Sequence, residues 1–192
     1  MQLVLRTSGD TRKMHNEVIA IRPAISFVKD KFKEAELVGA EVGVAWGSHA
    51  RSILSNVDMK ELILIDPWEK YELKDQSIDP SNFYEETVER FKNDNNVKIL
   101  REFSTKAVLR FSDEYFDFVY IDACHTYEDV VQDLSVWWPK IKSGGVLCGH
   151  DFSEEWPGIV RAVTEFCGRN SLKLNSRFSE PNTRSDWWTV KE

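Results

Sequence analysis

The stretch LVGAEVGVAWG at residues 37–47, followed by ELILID at residues 61–66, decides the fold. Each is a short, near-continuous apolar run, the pattern of a strand buried on both faces. The first run ends in Gly43 and Gly47, which let the backbone turn tightly. A helix is expected from Ser48, through Ala50, Ile53 and Leu54, before the second run. Strand, glycine turn, helix and strand make the unit of a parallel sheet with helical crossovers.

The alternation continues in both directions. Upstream, Pro23 suits the first turn of a helix, and Ile25, Val28 and Phe32 follow at helical spacing. Downstream, helices are expected over residues 80–93, 105–111, 127–141 and 157–167, and strands over 97–100, 116–122 and 145–149. Residues 172–175 and 187–190 read as two last strands, with a long loop over 175–186. The expectation is an α/β protein: a Rossmann-like doubly wound sandwich, mostly parallel and seven-stranded, with an antiparallel last strand. Residues 1–192 read as one domain, with residues 1–22 as a lead-in containing a turn at Ser8-Gly9-Asp10.

Composition excludes several classes. The chain has 192 residues, 42% hydrophobic, enough for a packed core. Lys and Arg number 25 against 32 Asp and Glu, and no basic run occurs, so a nucleic-acid partner is not expected. No window approaches ~20 consecutive apolar residues, so no membrane span is expected. The N-terminus is charged too soon for a signal peptide. The cysteines Cys124, Cys148 and Cys167 are odd in number and widely spaced, which points to a reducing, cytoplasmic setting.

In doubly wound sheets ligands bind beyond the carboxyl ends of the strands. The first strand closes on Glu41-Val42-Gly43-Val44-Ala45-Trp46-Gly47, and the second on Asp66, about 20 residues later, where a carboxylate can accept both hydroxyls of a ribose. The glycine spacing departs from the dinucleotide fingerprint G-x-G-x-x-G. With its leading acid it resembles motif I of the class I S-adenosylmethionine-dependent methyltransferases, with Ala45 in place of the middle glycine. The resemblance extends through Ile121-Asp122-Ala123-Cys124-His125-Thr126-Tyr127, Gly144-Gly145 and Gly149-His150-Asp151-Phe152, and covers about residues 37–190. It is similar in plan to the metal-dependent catechol and sugar O-methyltransferases. The resemblance implies S-adenosyl-L-methionine as cofactor, held by Glu41, Gly43, Ala45, Gly47, Asp66 and Asp122, with Glu102, Phe103 or Ser104 at the adenine.

Asp122 and Asp151 close neighbouring strands, and paired carboxylates suit a divalent cation, Mg2+ or Mn2+. The resemblance places a third ligand beside the second acid, so the expected metal set is Asp122, His150 and Asp151. His125 has the pKa to take a proton from an attacking hydroxyl, which makes His125 and Asp122 the expected catalytic pair. His15 and His49 receive no role. Trp46 and Trp68 are placed to bracket a cofactor, and Trp156 to face an acceptor. The expected activity is methyl transfer to an oxygen of a small molecule or sugar, with or without a metal, and a homodimer would supply an acceptor lid. Two alternatives stay open: a non-catalytic binding module of the same fold, and a nicotinamide-dependent oxidoreductase.

Overall fold

The computed structural model describes residues 20–33, 35–69, 71–73, 76–78, 81–178 and 185–192. The turn expected at residues 8–10, most of the lead-in, and His15 lie outside them. The elements run α1 (Pro23–Phe32), β1 (Leu37–Val42), α2 (Ser48–Asn56), β2 (Met59–Ile65), β3 (Tyr71–Leu73), β4 (Gln76–Ile78), α3 (Ser81–Phe91), β5 (Val97–Leu100), α4 (Ser104–Ala107), β6 (Phe116–Ile121), α5 (Tyr127–Trp137), β7 (Ile141–Gly149), α6 (Pro157–Arg169), β8 (Asn175–Phe178) and β9 (Ser185–Val190).

Seven strands form one sheet in the order β5-β2-β1-β6-β7-β9-β8. The pairs from β5 through β7 are parallel, and β9 runs antiparallel to both its neighbours. The expected doubly wound sandwich with an antiparallel last strand is therefore what forms. Side chains alternate across the sheet, and both faces are covered. Leu62, Leu64, Phe118 and Tyr120 pack with α1 and α2, while Ile63, Ile65, Val119 and Ile121 pack with α5 and α6. Burial on both faces is why the strands read as unbroken apolar runs. Trp137 and Trp187 are buried in the core, and their neighbours Trp138 and Trp188 lie at its edge.

Three expectations change. The β3–β4 hairpin is an addition after β2. The helix from Tyr127 ends at Trp137, because Pro139 cannot continue it; a 3-10 turn over Trp138–Lys140 leads straight into β7. The last two strands are β8 and β9, which take up both ends of the supposed 175–186 loop. The order places the ends of β2, β1, β6 and β7 side by side, so the residues that close them share one edge of the molecule. Among the described residues no helix is long and apolar enough to cross a membrane.

Candidate active site

The turn after β1 is built by close approach. Gly43 adopts φ 87°, and a Cβ there would lie 2.1 Å from the Asp122 carbonyl oxygen, so no other residue fits. Ala45 and Gly47 continue the left-handed path with φ 50° and 78°. Asp66 fixes this loop: its Oδ2 accepts the Val44 and Ala45 amides at 2.9 and 3.1 Å, and its Oδ1 accepts the Trp68 amide at 2.7 Å. Three backbone donors occupy three of the four lone pairs of the carboxylate. One remains for a ribose hydroxyl, where the sequence suggested two. Trp68 is buried, and its indole N–H donates to the Ala45 carbonyl at 2.6 Å. It therefore supports the loop from beneath and does not bracket a ligand; Trp46 is the exposed one, at 43%.

Beneath the loop, Glu41 is buried and its Oε1 lies 3.1 Å from His49 Nδ1. Burial pushes the Glu41 carboxyl well above its ordinary range and the His49 imidazole well below its own. The pair is favoured neutral, and His49, which has no role in the sequence reading, completes it against the Tyr120 ring. Beside it, Arg22 Nη1 donates to the Tyr120 hydroxyl at 2.9 Å and to Asp122 Oδ2 at 2.8 Å. Burial opposes the Arg22 charge, but Tyr120 and Asp122 outweigh it and raise its pKa, so the guanidinium is a permanent cation.

Asp122 follows β6, and His125 lies three residues on. Thr126 caps α5 by accepting the Asp129 amide, which fixes the chain just after His125. The start of α6 packs so closely here that a Cβ on Gly158 would lie 2.9 Å from the His125 carbonyl. Trp156 meets the His125 ring edge-on at 4.2 Å. Asp151, buried and held at φ 59°, directs Oδ2 to within 3.2 Å of His125 Nε2.

One ligand atom from each of Asp122, His125 and Asp151 lies within 4.8 Å of the others. The expected metal set is thereby altered. His150 turns its Nδ1 to Asp186 Oδ1 at 2.9 Å and its Nε2 stays 3.7 Å from Asp151, while His125 takes the third place. Asp186 is fully buried; it also accepts the Tyr120 hydroxyl and the Ala24 amide at the start of α1.

After β5, Glu102 pairs with Arg110. The Ser104 hydroxyl is engaged, accepting from the Trp137 indole at 2.8 Å and donating to Asp133, whose carboxyl burial pushes up to about 6. Of the three residues expected at an adenine, Phe103 is the most exposed, at 48%. Arg22, His49, Tyr120 and Asp186 escaped the sequence reading. An aspartate opening an apolar strand was the one signal for Asp186; Arg22 offered none.

A family model described as a methyltransferase domain matches residues 40–152. The fold is similar to that of a Corynebacterium glutamicum protein, at 13% identity and TM-score 0.65, covering 91% of this chain and 83% of that one. It is similar to an O-methyltransferase from Bacillus cereus in complex with S-adenosylhomocysteine, at 12% identity and TM-score 0.61, covering 88% and 79%. It is also similar to the 1,6-didemethyltoxoflavin-N1-methyltransferase of Burkholderia thailandensis, with bound 1,6-didemethyltoxoflavin and S-adenosylhomocysteine, at 11% identity and TM-score 0.62, covering 91% and 79%. A search among curated proteins finds no match.

Proposed function

The chain belongs to the methyltransferase-domain family, and from that premise we propose that it moves the methyl group of S-adenosyl-L-methionine onto an oxygen of a small molecule or sugar. One juxtaposition carries the reading. The Asp66-clamped loop lies against Asp122, and Asp122 lies within reach of His125 and Asp151. A loop of ligand-binding type and a proton-accepting group therefore lie at the same edge of the sheet, joined through Asp122.

Methyl transfer from a sulfonium to a hydroxyl needs oxygen, carbon and sulfur in line and the loss of one proton. His125 takes that proton on Nε2, the nitrogen that faces Asp151, and the Asp151 carboxylate, at 3.2 Å, stabilises the imidazolium as it forms. The Bacillus cereus neighbour is an O-methyltransferase and the Burkholderia one an N1-methyltransferase. An imidazole backed by a buried carboxylate favours an acceptor that must be deprotonated, hence a hydroxyl.

The same three residues fit a divalent cation. Two carboxylates and an imidazole suit Mn2+ better than Mg2+. Such an ion, when bound, would polarise the acceptor oxygen and lower its pKa. Nε2 of His125 serves either as ligand or in the pair with Asp151.

Calorimetric titration of the full chain with S-adenosylhomocysteine, with and without Mn2+ or Mg2+, tests the proposal. Micromolar binding is expected, with a Mn2+-dependent change if the cation site operates. Absence of binding in every condition would sink the enzymatic reading in favour of a binding module.

A further inference from the structure

We propose that Thr87 of α3 is a positioning residue for the turn after β1, and that α3 holds this turn in its ligand-ready form. The inference rests on the cofactor reading above, which gives the turn its function. Phe83, Thr87 and Phe91 recur at i, i+4 and i+8, so they share one face of the helix. That face meets three successive residues of the turn. The Phe83 ring stands edge-on to Trp46 with 5.1 Å between centroids, and the Thr87 hydroxyl lies 3.0 Å from the Ala45 carbonyl oxygen. The Phe91 ring lies so close to Gly47 that a Cβ there would be 2.6 Å from it.

Thr87 is the polar member of this stripe, and it is fully buried. Valine has the same shape, so packing alone does not call for a hydroxyl. The hydroxyl reaches two carbonyl oxygens, that of Phe83 at 2.7 Å and that of Ala45 at 3.0 Å. A bond back to the preceding helical turn is the common habit of threonine and satisfies the hydroxyl by itself. The contact with Ala45 is the addition, and it completes that residue. The Ala45 carbonyl oxygen has two lone pairs, one facing the Trp68 indole N–H at 2.6 Å and the other the Thr87 hydroxyl. The Ala45 amide donates to Asp66. Both backbone polar groups of Ala45 are therefore bound to side chains from outside the turn, at a residue whose φ of 50° alanine adopts at a cost. Without the Thr87 hydroxyl, the carbonyl side of that residue is held by Trp68 alone.

The coupling is reciprocal. A helix that favours the ligand-ready turn is itself favoured when the ligand binds. Ligand at the turn should therefore protect α3 around Thr87, and loss of the hydroxyl should loosen the turn even with no ligand present.

Hydrogen exchange and calorimetry on the full chain, with S-adenosylhomocysteine as the probe, test this. Thr87→Val removes the hydroxyl and keeps the shape. In the absence of ligand it should speed exchange of the Val44, Ala45 and Gly47 amides by ~3-fold to 10-fold, the range of one neutral hydrogen bond, with little change in the urea midpoint. Affinity for S-adenosylhomocysteine should fall by a similar factor. Thr87→Ser restores the hydroxyl and should return both quantities to within ~2-fold of wild type. In wild type, S-adenosylhomocysteine should slow exchange over residues 87–91 by at least ~3-fold. Turn exchange in Thr87→Val equal to wild type, or Thr87→Ser as impaired as Thr87→Val, overturns the positioning role while the cofactor reading stands. Faster turn exchange in Thr87→Val, with no S-adenosylhomocysteine bound by wild type, supports the hold of α3 on the turn and overturns the cofactor reading. Should Thr87→Val fail to fold, wild type decides: binding without protection of residues 87–91 overturns the proposal.

Discussion

Asp66→Asn is the sharpest probe of the loop, because it changes one atom and leaves the shape. The carboxylate accepts three backbone amides, two on Oδ2 and one on Oδ1. Asparagine has one acceptor and one donor. With its oxygen toward Val44 and Ala45, its NH2 faces the Trp68 amide, donor against donor. The reverse orientation loses two bonds. The better arrangement thus forfeits one charge-assisted bond and turns two others neutral. Bonds to charged groups contribute about 1.5–3 kcal/mol and neutral ones about 0.5–1.5. At the lower ends that sums to about 3.5 kcal/mol, and because Asp66 is partly exposed water recovers part of it, leaving a net loss of about 2 kcal/mol. Urea denaturation reads that loss if the loop opens only with the whole domain. If it opens locally, the Val44 and Ala45 amides exchange ~30-fold faster at unchanged global stability. Affinity for S-adenosylhomocysteine should fall at least ~10-fold in both cases. Unchanged exchange at Val44 and Ala45, with stability within about 0.5 kcal/mol of wild type, would refute the clamp.

Other perturbations follow from the same geometry. His125→Ala should lower methyl transfer by ~100-fold while sparing S-adenosylhomocysteine affinity; a normal rate would remove His125 as the base. Asp133 has a folded pKa of about 6 against an ordinary 3.8, so the folded state holds its proton longer than the unfolded chain. Stability should therefore fall as pH rises from about 4 to 6, and Asp133→Asn should flatten that slope and gain up to roughly 3 kcal/mol at pH 8. Urea titrations at pH 5 and 8 check it, and parallel slopes in the two proteins would contradict it. Ala45 sits at φ 50°, a left-handed placement costing alanine about 1 kcal/mol, close to the entropy that glycine would add to the unfolded chain. Ala45→Gly should thus change stability by less than about 0.5 kcal/mol, whereas Ala45→Val should lose roughly 2 kcal/mol; equal melting curves for the two variants would deny the left-handed turn.

The sheet was legible because a strand buried on both faces announces its own burial in every residue. β5 was read to the residue, and β1, β2 and β6 to within two at each end. β3 and β4, at three residues each, are too short for any period to show. β9 starts two residues before its expected Trp187, for a different reason. It opens with Ser185 and Asp186, whose polarity reads as loop, yet both are buried. Asp186 tolerates burial because three donors reach it from Ala24, Tyr120 and His150, 162, 66 and 36 residues away in sequence.

That case explains the pattern at the site as well. A hydrophobic residue reports its surroundings by its own type, since any apolar neighbour satisfies it. A buried polar residue is satisfied only by a particular partner, and topology chooses that partner. Sequence could therefore list His125 and His150 as neighbours of the paired acids but could not say which faces Asp151. The choice is made by Asp186, which draws His150 aside through Nδ1 and leaves His125 to complete the cluster. Ser104 follows the same logic, withdrawn from the cleft by Asp133 and Trp137 of α5. The chemistry of this edge is thus set in part by Asp186, Asp133 and Trp137, which act through the side chains they bond. Asp186→Asn, which perturbs all three of its bonds, should loosen α1 and His150 together.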